Sequence, residues 1–298
     1  MEALFVHVAN KLESIRFGNN AASGKLLDVS EVKSIQLWRA VAAEFLAQAL
    51  FVILGCASAM QIPASTATTT DTAQLLKIAF CFGLSIMALI QMIGHVSGGH
   101  INPAVTIAMA VAMKISIIRA FLYVVAQILG AIVGGFILKG LTLSPQNKNL
   151  AVTGLSDGVT QAQGFGMELI LTFVLVTVIF GTTDPNRASF GSPALLIGLT
   201  VTVGHLAGIQ YTGSSMNPSR SLGSAVASDK WDDHWIYWIA PIAGGVLSSL
   251  TYKFILNPYK GVINMEEAIT KLNSKEASLG APGTNSTTSG NKSESTHM

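Results

Sequence analysis

Gly94-His95-Val96-Ser97-Gly98-Gly99-His100-Ile101-Asn102-Pro103-Ala104-Val105, in the first half of the chain, is answered in the second by Tyr211-Thr212-Gly213-Ser214-Ser215-Met216-Asn217-Pro218-Ser219-Arg220. Each stretch sets an Asn-Pro pair directly before a short apolar run. Asn is a favoured helix N-cap and Pro is favoured at the first helical position, so both copies specify a sharp helix start. Each run stays helix-like for only about ten residues, whereas a bilayer core needs about 20. Two apolar helices that start sharply and stop short are expected to be re-entrant.

The correspondence extends outward from the two pairs. Gly83-Leu84-Ser85 lies nineteen residues before Asn102 and Gly198-Leu199-Thr200 nineteen before Asn217, while Gly98 and Gly213 each precede their Asn by four. Further upstream, Ala43-Glu44-Phe45-Leu46 and Met167-Glu168-Leu169-Ile170 each place one carboxylate in apolar surroundings. The chain therefore reads as two related halves.

Only 11% of the residues are charged and 50% are hydrophobic, with 18 basic against 16 acidic side chains and a net charge of +2. A soluble domain carries roughly 25% charged residues, so this is a membrane composition. The near-neutral balance and the lack of an aromatic-basic cluster exclude nucleic-acid binding. Cys56 and Cys81 both fall inside apolar runs, where a thiol is usually a small buried hydrophobe. The first 37 residues hold no long apolar stretch with a cleavage site, so the first span is expected to direct insertion. A stripe of Leu4, Phe5, Val8, Leu12 and Ile15 fits an amphipathic interfacial helix there.

Six segments are long and apolar enough to span: about 38–60, 74–94, 116–139, 164–182, 193–211 and 235–256. The chain divides into an N-terminal segment 1–37, a membrane domain 38–259 with repeats at about 38–140 and 164–256, and a tail 260–298. The tail, rich in Ser, Thr, Asn, Gly and Lys, is expected to be disordered. Six spans put both termini on one side, and Lys11, Arg16, Lys25 and Lys33 favour the cytoplasm. Lys114, Arg119 and Arg187 agree, while Lys148 and Lys230 fall outside, so the bias is modest. Glycosylation patterns at Asn285 and Asn291 would then go unused.

Three spans per half invert the second repeat relative to the first, which brings two short helices tip to tip near the midplane. Irregular backbone at that depth survives only where it is buried in protein or lines a wet cavity. Gly130, Gly134, Gly244 and Gly245 are placed to let helices approach closely. Each short helix presents unpaired N–H groups and partial positive charge at its start, so two facing starts oppose cations. Amides of Asn102 and Asn217 turned inward would donate to a passing water from two sides and break a proton wire. Arg220 lies in the first turn of the second short helix, where the dipole disfavours a cation, and its counterpart is Val105. An intramembrane arginine so placed is a functional candidate.

From Trp38 to Tyr259 the chain resembles the aquaporin family, in its water-selective animal type, and the two quoted stretches are specific to it. The resemblance implies an all-α membrane protein with six transmembrane helices and two re-entrant half-helices in an inverted repeat. It implies homotetramers in a plasma membrane with cytoplasmic termini, a pore for water in each subunit, no cofactor and no enzymatic activity. The pore motifs are then Asn102, Pro103, Ala104 and Asn217, Pro218, Ser219. A second constriction is implied at Phe82, His205, Ser214 and Arg220, with Phe82 on one wall, His205 opposite, and Ser214 contributing mainly its backbone carbonyl. Glu44 and Glu168 would brace the two loops by accepting backbone N–H groups, and His95 and His100 would be structural.

Two departures stand out. Ser219 replaces the commoner Ala, adding a hydroxyl or altering packing against the first loop. Ser214 replaces a Cys of many mercury-sensitive relatives, so mercurial inhibition through that site is expected to be weak, with Cys81 beside Phe82 as the other thiol. The function implied is passive water conduction. The alternatives are a glycerol facilitator, which would usually carry Asp after the pore arginine and a smaller residue for the histidine, where this chain has Ser221 and His205, or a poorly conducting membrane-junction protein. Tyr237-Trp238 also follows the water-selective pattern. An ion-coupled transporter would need ionisable groups along its path, and beyond Glu44, Glu168 and Arg220 the spans offer almost none.

Overall fold

Long apolar runs fold as helices in hydrocarbon because a helix satisfies its own backbone where no water can. The computed structural model describes residues 27, 29–60, 71–144, 148–185 and 191–257, all within one compact unit, Met1–Pro258. The stripe from Leu4 to Ile15, the cations Lys11, Arg16, Lys25 and Arg187, and the tail with Asn285 and Asn291 lie outside the described residues.

Among the described residues there are eight α-helices: α1 (Ile35–Ser58), α2 (Asp71–Ser97), α3 (Pro103–Val111), α4 (Ile117–Leu141), α5 (Gln161–Thr183), α6 (Pro193–Thr212), α7 (Pro218–Ser228) and α8 (Ile236–Thr251). A short 3-10 turn, Val29–Lys33, precedes α1, and α8 continues into a π-helical turn, Tyr252–Leu256. Six helices are long and apolar enough to cross a membrane, while α3 and α7, of 9 and 11 residues, are not. With the π-helical turn counted in the last span, the observed ends differ from the sequence spans by up to three residues, as in α2, which starts at Asp71 and ends at Ser97. Hydropathy marks what sits in hydrocarbon, whereas backbone hydrogen bonding carries each helix on into its polar ends. The outward faces stay apolar: Phe121, Val125, Leu129 and Val133 form an exposed stripe along α4. Such a stripe suits a lipid-facing surface and would be a liability in water.

Glycines set the helix contacts. A Cβ at Gly130 or Gly134 would collide with the carbonyls of Phe45 and Ala49, and one at Gly244 with the carbonyl of Leu169. So α4 lies backbone to backbone on α1, and α8 repeats the contact on α5. Each short helix is clasped by the other half. Gly223 of α7 meets the Ala131 carbonyl of α4, and a Cβ on Gly245 of α8 would sit 2.9 Å from the Ala104 carbonyl of α3. A Cβ on Gly198 of α6 would fall 2.6 Å from the Gly83 carbonyl of α2. Those two glycines are the equivalent positions of the repeat, so their contact lies on the axis relating the halves.

Candidate functional site

The two loops that lead into α3 and α7 share one backbone course. Each long helix is followed by a left-handed glycine, Gly98 (φ 91°) after α2 and Gly213 (φ 77°) after α6, the conformation glycine adopts most cheaply past a helix end. Left-handed geometry then recurs at Gly99 and Ser214, and again at Ile101 (φ 50°) and Met216 (φ 51°). For a β-branched residue such as Ile101 that is a costly conformation, of order 1–3 kcal/mol.

Two carboxylates hold the loops in it. Glu44 accepts from Ser97 Oγ (2.6 Å), the His100 N–H (2.9 Å), the Ile101 N–H (2.7 Å) and Gln127 Nε2 (2.8 Å). Glu168 accepts from Thr212 Oγ1 (2.6 Å) and from the Ser215 and Met216 N–H groups (both 2.8 Å). Both are fully buried, and each holds two consecutive backbone N–H groups of its loop, which ties the strained backbone to the helix that carries the carboxylate. Behind them, Tyr123 donates to the Ser97 carbonyl (2.9 Å) and Tyr237 to the Thr212 carbonyl (3.0 Å). The halves differ at one brace, because Gln127 in α4 corresponds to Pro241 in α8, which has no side-chain donor.

The asparagines cap their helices and also reach across the repeat. Asn102 Oδ1 accepts from the Ala104 N–H (2.8 Å), and Asn102 Nδ2 donates to the Met216 carbonyl (2.7 Å). Asn217 Nδ2 donates to the Ile101 carbonyl (2.7 Å). Each amide nitrogen carries two hydrogens, so the crossing bond fixes its orientation and leaves a second donor. Ser219 explains itself here. In the second half the nearest capping N–H, that of Arg220, is 3.2 Å from Asn217 Oδ1, and the Ser219 hydroxyl supplies a shorter bond of 2.9 Å. Its hydroxyl therefore acts on its own asparagine.

Phe82, His205 and Arg220 come together as a cluster, and Ser214 is held at the Gly204 carbonyl, one residue before His205; all four are at most 3% exposed. The Phe82 and His205 rings stack with centroids 4.4 Å apart and planes 20° from parallel, and the Arg220 guanidinium carbon lies 4.8 Å from the Phe82 centroid. The expected opposition of Phe82 and His205 on separate walls is corrected: the rings touch, and nothing fits between them. Residue spacing identifies the helices that meet, whereas the ring positions are set by packing. Gly55 makes room for this, since a Cβ there would strike the Phe82 ring.

Hydrogen bonding fixes the polar edges. His205 Nδ1 lies 2.9 Å from the Val201 carbonyl; a carbonyl only accepts, so Nδ1 carries the proton and Nε2 is left as an acceptor. Arg220 Nη1 donates to the Ala151 carbonyl (2.7 Å). His205 Nε2 and Arg220 Nε are buried without a protein partner, one acceptor and one donor. The Ser214 hydroxyl donates to the Gly204 carbonyl (2.9 Å) and is thereby tied to α6. Of the histidines expected to be structural, His100 packs edge-on against Tyr123 and lies 3.1 Å from Thr106 Oγ1, and His95 is exposed in the last turn of α2.

Sequence reasoning did not single out Ser97, Thr212, Tyr123 or Gln127. A signal existed: Ser97 and Thr212 each lie five residues before their Asn, and Tyr123 and Tyr237 lie 21 and 20 after theirs. Among the described residues no cluster of three or more metal-type ligands occurs.

A family model described as Major intrinsic protein matches residues 31–252. Human Aquaporin-5 is 48% identical over 243 residues, covering 81% of this chain and 89% of that protein. Human Aquaporin-2 is 46% identical over 242 residues (81% and 87%), and Aquaporin-1 of Sus scrofa 46% over 233 (77% and 86%). Among solved structures, an aquaglyceroporin from Plasmodium falciparum superposes with a TM-score of 0.66 at 28% identity, covering 74% of this chain and 98% of that one.

Proposed function

We propose that this chain, which belongs to the major intrinsic protein family, is a multi-pass membrane channel that conducts water passively and excludes ions and protons. The observation that carries it is the pair of orphaned polar atoms at the narrow cluster. His205 Nε2 and Arg220 Nε are buried beside Phe82 with no protein partner. Buried polar groups are rarely left so, and water, donor and acceptor at once, satisfies both as it passes. Similarity to three aquaporins at 46–48% identity supports the same reading.

Selectivity then has two parts. At the centre, Asn102 and Asn217 offer donors from opposite loops, and the starts of α3 and α7 add positive potential. A water held by both amides turns its hydrogens away from them and breaks the chain along which a proton would hop. At the second constriction, Arg220 repels cations, and the Phe82–His205 stack obstructs bulkier solutes. Glu44 and Glu168 serve as braces, with every bond found on them directed at loop and helix donors.

The aquaporin resemblance also supports a homotetramer with cytoplasmic termini in a plasma membrane. The test of the selectivity assignment is His205→Ala reconstituted in vesicles. Glycerol re-swelling, absent in the parent, is expected to appear in the variant. Fast glycerol uptake by the parent would favour a glycerol facilitator instead.

A further inference from the structure

A chain of side-chain contacts runs from the turn before α1 into the first loop. Glu31, in Val29–Lys33, pairs with Arg119 through Nη2 and through Nε (2.6 Å), and accepts from the Ser116 hydroxyl. Arg119 Nη1 donates to the Tyr123 hydroxyl (3.2 Å), Tyr123 donates to the Ser97 carbonyl (2.9 Å), and Ser97 Oγ donates to Glu44 (2.6 Å). Glu44 in turn holds the His100 and Ile101 N–H groups directly before Asn102. The ion pair is largely removed from solvent, with side chains 8% and 11% exposed.

The second half repeats only the inner links, Tyr237 to Thr212 to Glu168. The position four before Tyr237, matching Arg119 before Tyr123, is Asp233, which accepts from Gln161 Nε2 (2.6 Å). The cationic link and its anchor are therefore a feature of one half. Their chemistry explains how they act. An Arg donor on the Tyr123 oxygen polarises its O–H and strengthens the bond to Ser97. Ser97 closes α2, so its carbonyl is one of the groups a helix end leaves unpaired.

We propose that Glu31 and Arg119 are positioning residues of the first loop, which fix Asn102 from a distance by anchoring Tyr123, Ser97 and Glu44 to the turn before α1. Neither residue touches the permeant. The permeability arm of the test rests on the water-channel reading; the structural arm does not.

The experiment is amide hydrogen exchange on the full chain in vesicles, comparing the parent with Glu31→Ala and, as a second variant that leaves the ion pair intact, Tyr123→Phe. The loop ending in His100 and Ile101 is expected to exchange roughly three- to tenfold faster in both variants, the scale of one partly buried polar link. The loop with Ser215 and Met216 serves as an internal control and is expected to stay unchanged. Water permeability per channel is expected to fall in the same two variants. Unchanged exchange in the first loop, or equal acceleration in both loops, would overturn the proposal. A parent that does not conduct water while the first loop still responds selectively would sink the water-channel reading and leave this one standing.

Discussion

The Arg220 guanidinium lies beside an aromatic ring and a carbonyl; among the described residues no carboxylate lies within ion-pair distance of it. A cation brought to about 5 Å would meet a repulsion of about 3 kcal/mol at an effective dielectric near 20. Arg220→Gln is therefore expected to keep water flow and to admit a small cation leak, read as a conductance in planar bilayers. Gly55→Ala tests the ring geometry. Its Cβ would press on Phe82, so unit permeability should drop while expression holds, and an unchanged rate would show that the ring does not border the path. Ser219→Ala removes a bond to Asn217 Oδ1 but leaves the Arg220 N–H cap, so water permeability is expected to fall less than in Gly55→Ala. Mercurial sensitivity is expected to be weak. Cys56 is buried, whereas Cys81 is partly exposed and lies against the Leu54 carbonyl; any inhibition should vanish in Cys81→Ser, and persistence there would contradict the assignment.

At the scale of elements, the two loops depend on the carboxylates below them and the helices on their glycines. Glu168→Gln places an amide NH2 against at least one backbone N–H, at a cost of about 1–3 kcal/mol for the unpaired donor. The expected result is a lower unfolding temperature with a conduction pH profile unchanged from the parent; a lost pH dependence would point to proton transfer instead. Gly198→Ala adds a methyl group 2.6 Å from the Gly83 carbonyl, and overpacking of that kind costs about 1–3 kcal/mol. Much of this level was legible in the sequence. Gly83 and Gly198, Glu44 and Glu168, and the two asparagines repeat at matching places, and a repeat reveals equivalence without a structure. Glu31 and Arg119 were not legible, because they are 88 residues apart and occur in one half only; Arg119 reads in the sequence as one more basic residue flanking a span. The Phe82–His205 stack was hidden for another reason, since it depends on side-chain rotamers and on the space left by Gly55.

Seen whole, the molecule pairs each half-helix with the third span of the opposite half, so neither repeat can assemble its own site alone. Gly223 against Ala131 and Gly245 against Ala104 are the contacts that enforce this. Six membrane-length helices place the site in a bilayer, and the apolar stripe of Phe121, Val125, Leu129 and Val133 on α4 suits either lipid or a neighbouring subunit. This assembly is expected to pass water and reject glycerol. Stopped-flow light scattering on vesicles containing the purified chain tests it most directly, first with an impermeant osmolyte and then with glycerol. Shrinkage much faster than in empty vesicles is expected, with re-swelling in glycerol no faster than theirs. Shrinkage at the rate of empty vesicles, or rapid re-swelling in glycerol, would contradict it.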